Sequence, residues 1–260
     1  MVAENEPKEA FPYRPPDEAL KAKYRHFYEM VGPLKPRLLK TGFDKFLSSV
    51  ILLSVSPILL GLYIANLIEG VIIPENRGPL FYYYWAISAG RPFKKYKVRL
   101  IKMKYVDKEL AEKGDWHAWS GEWTPDCRTY VGRFVKKFYL DELLQFFNVL
   151  KGDMSIVGPR PLAIHHHDRD VAQGNVTRNL VRGGILGYGH IRKGTSEFGN
   201  PRYEFEYVDR YLNDPPFKFL LFDLSIILKG IKVVLEGKGL YPTIYPTYEV
   251  LHFVSGILRV

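Results

Sequence analysis

The chain has 260 residues, of which 47 % are hydrophobic and 15 % are aromatic. This composition is sufficient for a folded core and excludes a largely disordered protein. The formal net charge of +9 fits three kinds of partner: nucleic acid, anionic lipid and phosphorylated small molecules. Cys127 is the only cysteine, which excludes an internal disulfide and a cysteine-based metal site.

Residues 1–40 are predicted to form a polar N-terminal arm with one short helix near Glu18–Met30. No apolar stretch follows a short basic start in this arm, so we expect no signal peptide.

The next segment, "LSSVILLSVSPILLGLYIANLI" (Leu47–Ile68), holds 22 residues without a charge. A straight helix of this length measures roughly 33 Å, against about 30 Å for the hydrocarbon core of a bilayer. The pattern predicts a membrane segment, and the alternative is a buried core helix of a soluble protein.

The flanks of this segment indicate its topology. Proline removes a backbone donor and clashes with the preceding turn, so we expect a kink near Ser56, in the Ser56-Pro57 pair. Basic residues near membrane segments favour the cytoplasmic side, and here they occur on both flanks. They are Lys35, Arg37, Lys40 and Lys45 before it, and Arg77, Arg91, Lys94, Lys95, Lys97, Arg99, Lys102 and Lys104 after it. We therefore predict a re-entrant helix hairpin rather than a single span.

The remaining chain alternates short elements with loops. Two strands around a turn at 90–92 are expected within Gly78–Lys104, and the region 131–150 is expected to be mainly helical. The region 182–202 is glycine-rich, and 203–212 is predicted to be a polar helix. Phe217–Gly239 is amphipathic, which leaves an interfacial helix and an ordinary core helix open.

An acidic pair, Asp141 and Glu142, opens an apolar run with helical spacing that ends before Gly152. One interpretation is helix capping, because the positive end of a helix favours anions. The other is chemical, since adjacent carboxylates can hold a divalent cation, attack phosphorus or take a proton. Arg160, fixed between prolines in "GPRP", is suited to binding a phosphate. Together with the membrane segment, these residues suggest chemistry on a lipid-linked phosphate.

The sequence resembles the bacterial sugar transferase family, the monotopic polyprenol-phosphate phosphoglycosyl transferases, from about Lys40 to Tyr241. "VGRFVKKFYLDELLQFFNVLKGDMSIVGPRPL" is the most specific block. The segment containing Ser56-Pro57, the run "RPFKKYKVR" and "DLSIILKGIKVVLEGKGLY" match further family features. The Trp-Gln of the family's glycine-rich motif is replaced here by Gly189-His190, and its Arg-Gln-Glu-Arg by "YYWAI" after "GPLFY".

The resemblance implies transfer of a phosphosugar from a nucleotide diphosphate sugar to a polyprenol phosphate, with magnesium and release of a nucleoside monophosphate. Asp141 would be the nucleophile that forms a covalent phosphosugar intermediate, and Glu142 would assist the metal and activate the lipid phosphate. Both are the expected magnesium ligands. The residues assigned to phosphate or substrate binding are Arg160, Lys97, Arg99, Arg182 and Asp209.

The expected fold is α/β: a re-entrant membrane helix hairpin plus a small, mostly helical cytosolic catalytic domain with a short β-hairpin and amphipathic interfacial helices. The predicted divisions are an arm (1–40), the membrane helix (41–73), the catalytic domain (74–245) and a tail (246–260). The expected place is the cytoplasmic face of the bacterial inner membrane, in contact with lipid, and a homo-oligomer is possible. An inactive relative that serves as a lipid- or nucleotide-binding scaffold is the alternative. A nucleic-acid binder is disfavoured because no helix concentrates Arg and Lys on one face.

Overall fold

The computed structural model of the protein describes residues 14–113, 125–138 and 140–235. The predicted C-terminal tail (246–260), the Gly-Lys-Gly-x-Tyr ending and the start of the N-terminal arm lie outside these ranges. The helices and strands of the described part are α1 Glu18–Lys23, α2 Leu38–Ile72, β1 Phe81–Ser88, β2 Arg91–Val98, α3 Lys108–Glu112, α4 Tyr130–Lys137, α5 Gln145–Lys151, β3 Ser155–Val157, α6 Ile164–Ala172, α7 Thr177–Leu180, β4 Gly184–Leu186, α8 Arg202–Asn213 and α9 Pro216–Leu235.

The predicted membrane segment lies within α2, a single helix of 35 residues. It is long and apolar enough to cross a bilayer, and only 11 % of its most apolar window is buried. This exposure contradicts the core-helix alternative. The helical hydrogen bonding continues through Ser56 and Pro57, and the kink expected there stays a prediction. Proline removes one backbone donor, and long apolar helices tolerate that loss.

Both ends of α2 pack against the rest of the protein, while its middle does not. Near the start, Lys40 Nζ lies 2.6 Å from a carboxylate oxygen of Asp223 on α9. One turn later, Asp44 accepts a hydrogen bond of 2.6 Å from the Ser155 hydroxyl on β3. Burial then ceases, and residues 49–61 include no buried side chain. It resumes at Leu62, which joins a hydrophobic cluster.

The far end of α2 is fixed by two polar side chains. Asn66 donates to the carbonyl of Gly78 and accepts from the guanidinium of Arg99. Glu69 accepts from the backbone N–H groups of Tyr130 (2.7 Å) and Val131 (2.9 Å) at the start of α4. A carboxylate at this position satisfies donors that have no partner within their own helix. The end of α2 thereby holds α4.

The strands β1 and β2 form the predicted antiparallel hairpin, with Ala89 and Gly90 in the turn. Side chains alternate between the faces of a strand, and one face of β2 carries Phe93, Lys95 and Lys97, all buried. Buried lysines are stable only beside groups of opposite charge, and the acidic pair of the candidate site supplies such groups.

The hairpin lies between two hydrophobic clusters. The larger is built around aromatic side chains, including Tyr82, Phe205 and Phe219. The smaller contains Leu62 of α2 with Val98 and Val135. A second, parallel pair of strands joins β3 to β4 at the edge of the larger cluster.

The helix α9 has a face buried in the core and exposed apolar residues on its other faces. Phe219 and Ile226 are fully buried in the core, whereas Phe217, Leu221 and Leu228 on other faces are at least half exposed. The predicted polar helix at 203–212 is confirmed as α8, and the short helix of the arm is confirmed as α1, followed by a 3-10 turn at Arg25–Glu29.

Candidate active site

The acidic pair lies in a single 3-10 turn, Leu140–Glu142, between α4 and α5. The α-helix begins only at Gln145, after Leu144, where no side chain caps the helix. The capping interpretation of the pair is therefore wrong: both carboxylates turn toward cations contributed by distant segments. The predicted helix end is confirmed, since Gly152 has φ +86°, the left-handed conformation that glycine adopts readily.

Asp141 is 3 % exposed, and its two carboxylate oxygens have different surroundings. Oδ2 lies 3.9 Å from Lys97 Nζ and 3.7 Å from Lys136 Nζ. Oδ1 is buried and has no hydrogen-bond partner in the described part of the chain. A buried carboxylate is costly without opposite charge, and the two lysines supply that charge beside Asp141. The free oxygen is available for bond formation or for a cation.

Glu142 forms a bidentate pair with Arg160, the arginine of the rigid "GPRP" loop. Burial alone would raise the pKa of Glu142, but the charges of Arg160 and Lys95 outweigh it and hold that pKa below its usual range. Burial likewise lowers the pKa of Arg160, and Glu142 more than compensates. Glu142, predicted as a metal ligand, and Arg160, predicted to bind phosphate, thus contact each other.

Lys95 connects the hairpin to this loop. Its side chain is fully buried, and Nζ lies 3.3 Å from the carbonyl oxygen of Pro161. Burial, followed by repulsion from Arg160, lowers the pKa of Lys95 well below its usual value. On the strand, Lys95 pairs with Tyr84, and Lys97 with Tyr82.

A network of charged side chains fixes the main chain at Arg160. Arg178 Nε donates to the Arg160 carbonyl at 2.9 Å. The other guanidinium nitrogens of Arg178 donate to Asp170 (2.8 Å) and Glu204 (2.6 Å). Because one guanidinium bonds to three segments, the loop is positioned by α6, α7 and α8 together.

The loop also packs against β4 at a distance that excludes side chains. A Cβ on Gly184 would lie 2.1 Å from the backbone nitrogen of Gly158. The N–H of Gly158 donates to Leu186 O (3.0 Å), and that of Gly184 donates to Pro159 O (2.9 Å). This contact places the turn after β4, Gly187–His190, beside the "GPRP" loop.

His190 in this turn and Lys193 just after it lie close to the charged groups of the site. The imidazole of His190 accepts a hydrogen bond at Nδ1 from the Gly187 N–H (2.8 Å). Burial, with Arg160 next in importance, lowers the pKa of His190 to about 3. Lys193 lies close enough to Arg160 and Lys136 that, after burial, their charges lower its pKa.

Three of the residues predicted to bind substrate have other partners. The guanidinium of buried Arg99 donates to the carbonyl oxygens of Pro79 and Ile101 and to Asn66, so it connects the end of β2 to α2. Arg182 extends toward Gly152 at the end of α5. Asp209 accepts from Asn213, one turn further along α8. Of the predicted binding residues, Lys97 and Arg160 are the two that the structure places with the acidic pair.

The comparison with known proteins agrees with this geometry. A sequence model described as "Bacterial sugar transferase" matches residues 35–237. The chain belongs to the bacterial sugar transferase family.

Several members of the family resemble the chain over part of their length. A UDP-N-acetylgalactosamine-undecaprenyl-phosphate N-acetylgalactosaminephosphotransferase of Aeromonas hydrophila is 30 % identical over 84 % of this chain and 50 % of its own. An undecaprenyl-phosphate galactose phosphotransferase of Salmonella typhimurium is 32 % identical over 79 % and 42 %. A UDP-glucose:undecaprenyl-phosphate glucose-1-phosphate transferase of Escherichia coli is 36 % identical over 60 % and 31 %. The chain spans half or less of the length of these curated relatives.

Sequence reasoning missed several residues of the site. Lys95 was counted among the basic flank residues, Lys193 lies in the region described only as glycine-rich, and no role was assigned to Arg178. The alternation of Phe93, Lys95 and Lys97 was the available signal, because lysine on an apolar strand face requires a buried partner. No comparable sequence pattern marks Lys193 or Arg178.

Magnesium at the two carboxylates stays a prediction. In the described ranges, no cluster of three or more His, Cys, Asp and Glu side chains could hold a metal. Magnesium, however, is usually bound by one or two carboxylates together with substrate phosphates. Oδ1 of Asp141 is an oxygen without a partner in the described residues, whereas both carboxylate oxygens of Glu142 contact Arg160.

Proposed function

We propose that the protein transfers a phosphosugar from a nucleotide diphosphate sugar to a polyprenol phosphate, and so initiates synthesis of a surface glycan. The observation that carries the proposal is Asp141: one buried carboxylate oxygen without a partner, and the other held between two lysines. Membership of the bacterial sugar transferase family, and the printed activities of the relatives, support it.

The first step is displacement at the phosphorus that bears the sugar. Oδ1 of Asp141 forms a bond to this phosphorus, and the bond from phosphorus to the bridging oxygen breaks. The nucleoside monophosphate leaves with the electron pair of that bond. Lys97 and Lys136 stabilise the negative charge that the phosphoryl oxygens and leaving group carry. Magnesium, held by Asp141 and Glu142, would neutralise further phosphate charge.

The second step reverses the roles. A phosphate oxygen of the polyprenol phosphate attacks the same phosphorus, the bond to Asp141 breaks, and the carboxylate is restored. Arg160 can bind the incoming phosphate once it exchanges part of its contact with Glu142, and Glu142, released from that contact, can then accept a proton from the phosphate. A covalent intermediate allows one site to serve a soluble donor and a membrane-bound acceptor in turn.

The site belongs at the cytoplasmic face of a membrane in this proposal, with α2 entering the bilayer and returning to the same side. Its support is that both ends of α2 pack against one domain, whereas residues 49–61 carry no buried side chain. Exposed aromatic residues of α4 and apolar residues of α9 suit contact with the interface: Phe134, Phe138, Phe217, Leu221 and Leu228.

The activity is tested with the full chain in detergent, undecaprenyl phosphate, magnesium and a panel of UDP-sugars. Release of UMP that requires the lipid, together with an intact-mass increase equal to one phosphosugar, is expected for the wild type. Asp141→Asn should abolish both, because an amide oxygen is a poor nucleophile. Full release by this variant would refute the assignment of the nucleophile, and no release from any donor would refute the activity.

The topology is tested by cysteine labelling in intact spheroplasts, in a Cys127→Ser background. Lys35→Cys and Glu75→Cys place exposed thiols before and after α2. Both should resist a membrane-impermeant maleimide and react after permeabilisation. Reaction of only one of them in intact cells would refute the re-entrant topology.

A further inference from the structure

His190 lies beside the candidate active site, and its Nε2 atom makes no hydrogen bond within the described residues. It occupies the place where the family pattern has Gln, within a motif that departs from that pattern. Its ring is held by the turn after β4, since the Gly187 N–H donates to Nδ1 and the His190 N–H donates to the Gly187 carbonyl (2.9 Å). A Cβ on Gly187 would lie 3.1 Å from Nδ1, so the ring is closely packed there.

The hydrogen bond from Gly187 determines which nitrogen carries the proton. A neutral imidazole has one donor and one acceptor nitrogen. Because Nδ1 accepts, the proton is on Nε2. This nitrogen has no hydrogen-bond partner in the part of the chain that the structure describes, and it is not among the fully enclosed polar atoms. It is a donor of fixed orientation that reaches accessible space.

The charges around His190 indicate which kind of ligand the Nε2–H group binds. The groups that act on it electrostatically are Arg160, Glu142, Lys193 and Lys95, three cations and one anion. An imidazolium would be repelled by these cations, and the low pKa of His190 keeps the ring neutral. A metal would need the electron pair of Nε2, which bears the proton. The complementary ligand is therefore an anionic oxygen.

We infer that His190 binds the donor substrate, its Nε2–H donating to an oxygen of the phosphoryl group that is transferred. This inference rests on the proposed function, because Asp141 and Glu142 define where that phosphoryl group lies. In this role His190 contacts the nucleotide-sugar substrate at the phosphoryl group that is transferred.

Two variants separate the two nitrogens of the ring. In His190→Asn the side-chain oxygen reaches the place of Nδ1 and can accept from Gly187, but the donor at Nε2 is lost. In His190→Gln the amide nitrogen reaches the place of Nε2 and retains the donor. Binding of UDP and of UMP to the full chain is measured by calorimetry in detergent with magnesium, and thermal unfolding is followed for each variant.

The inference predicts that His190→Asn weakens UDP binding about tenfold, as loss of a hydrogen bond to a charged oxygen should. His190→Gln should remain within about threefold of the wild type. UMP, which lacks the second phosphoryl group, should bind all three proteins equally. Equal UDP affinity of His190→Asn and wild type, or an equal loss for UMP, would overturn the inference.

Failure of the proposed function gives a different result. In that result, the three proteins bind UDP with the predicted ranking of affinities while the wild type releases no UMP from any UDP-sugar. It would refute the transferase proposal and leave His190 as a diphosphate-binding residue. Wild-type protein that binds no UDP would overturn the inference itself.

Discussion

The pair formed by Glu142 and Arg160 can be tested without knowledge of the donor sugar, because breaking it changes the free energy of unfolding. Three variants of the full chain are compared with the wild type: Glu142→Gln, Arg160→Gln and the double variant. Each single variant leaves a charged group without its bidentate partner in a partly enclosed site. The double variant removes both charges together.

The size of the effect follows from how far the pair is enclosed. The side chains are 19 % exposed for Arg160 and 26 % for Glu142. Removing one partner of a fully buried pair costs about 3–5 kcal/mol, and an exposed pair contributes roughly 0.2–1 kcal/mol. We therefore expect each single variant to lower the free energy of unfolding by about 2 kcal/mol. The double variant should lose about 1–2 kcal/mol less than the sum of the two.

Urea unfolding in one detergent, followed by tryptophan fluorescence, gives the four free energies. A matched control is the pair Arg25–Glu29, whose nitrogen and oxygen lie 3.3 Å apart on side chains that are 85 % and 66 % exposed. Glu29→Gln should change stability by no more than about 0.5 kcal/mol. Additive losses in the double variant, or single variants no worse than the control, would refute the view that this pair is held in a low-dielectric site.

Three other predictions concern the surroundings of the site. Lys136→Met should lower the rate of UMP release about a hundredfold, because it removes the positive charge beside Asp141. Lys136→Arg keeps that charge and should retain most of the rate. Equal rates for the two variants would contradict this role of the charge. Glu69→Gln should destabilise the protein by about 2 kcal/mol in urea unfolding, since an N–H group at the start of α4 loses its carboxylate oxygen; no loss would contradict the proposed anchoring. The pKa of His190 is about 3 in the folded protein, against 6.5 for the free group. Between these two values the unfolded chain carries a proton on His190 that the folded protein lacks. The free energy of unfolding should therefore fall as the pH drops below 6.5, by at most about 1.4 kcal/mol per pH unit. His190→Gln should lack that part of the slope, and identical pH profiles would contradict the assignment.

The hairpin shows how local patterns translate into structure. Alternation of apolar residues around a glycine turn predicted two strands, and β1 and β2 are found in that place. The region 131–150 was predicted to be mainly helical, and it is, but a 3-10 turn interrupts it at Leu140–Glu142. Helical spacing of apolar residues cannot reveal this interruption, because a 3-10 turn changes the periodicity by less than one residue.

The site itself was only partly predictable. The adjacent carboxylates and the "GPRP" loop lie close together in sequence, so their chemistry could be recognised from the order of residues alone. Arg99 was equally plausible as a phosphate ligand, yet it is enclosed by carbonyl oxygens and Asn66. Whether an arginine faces a ligand or the backbone depends on residues far away in the chain.

The sequence by itself determined that one long uncharged segment is suited to a membrane, that two acids adjoin a rigid arginine loop, and that the chain belongs with the bacterial sugar transferases. These are properties of consecutive residues, and hydrophobic length and local charge follow from composition alone. The tertiary structure decided that Glu142 faces Arg160, that Lys95, Lys136, Lys193 and His190 surround the pair, and that Glu69 of α2 holds α4. Electrostatic contacts depend on distance through space, and only the packing of segments tens of residues apart sets those distances.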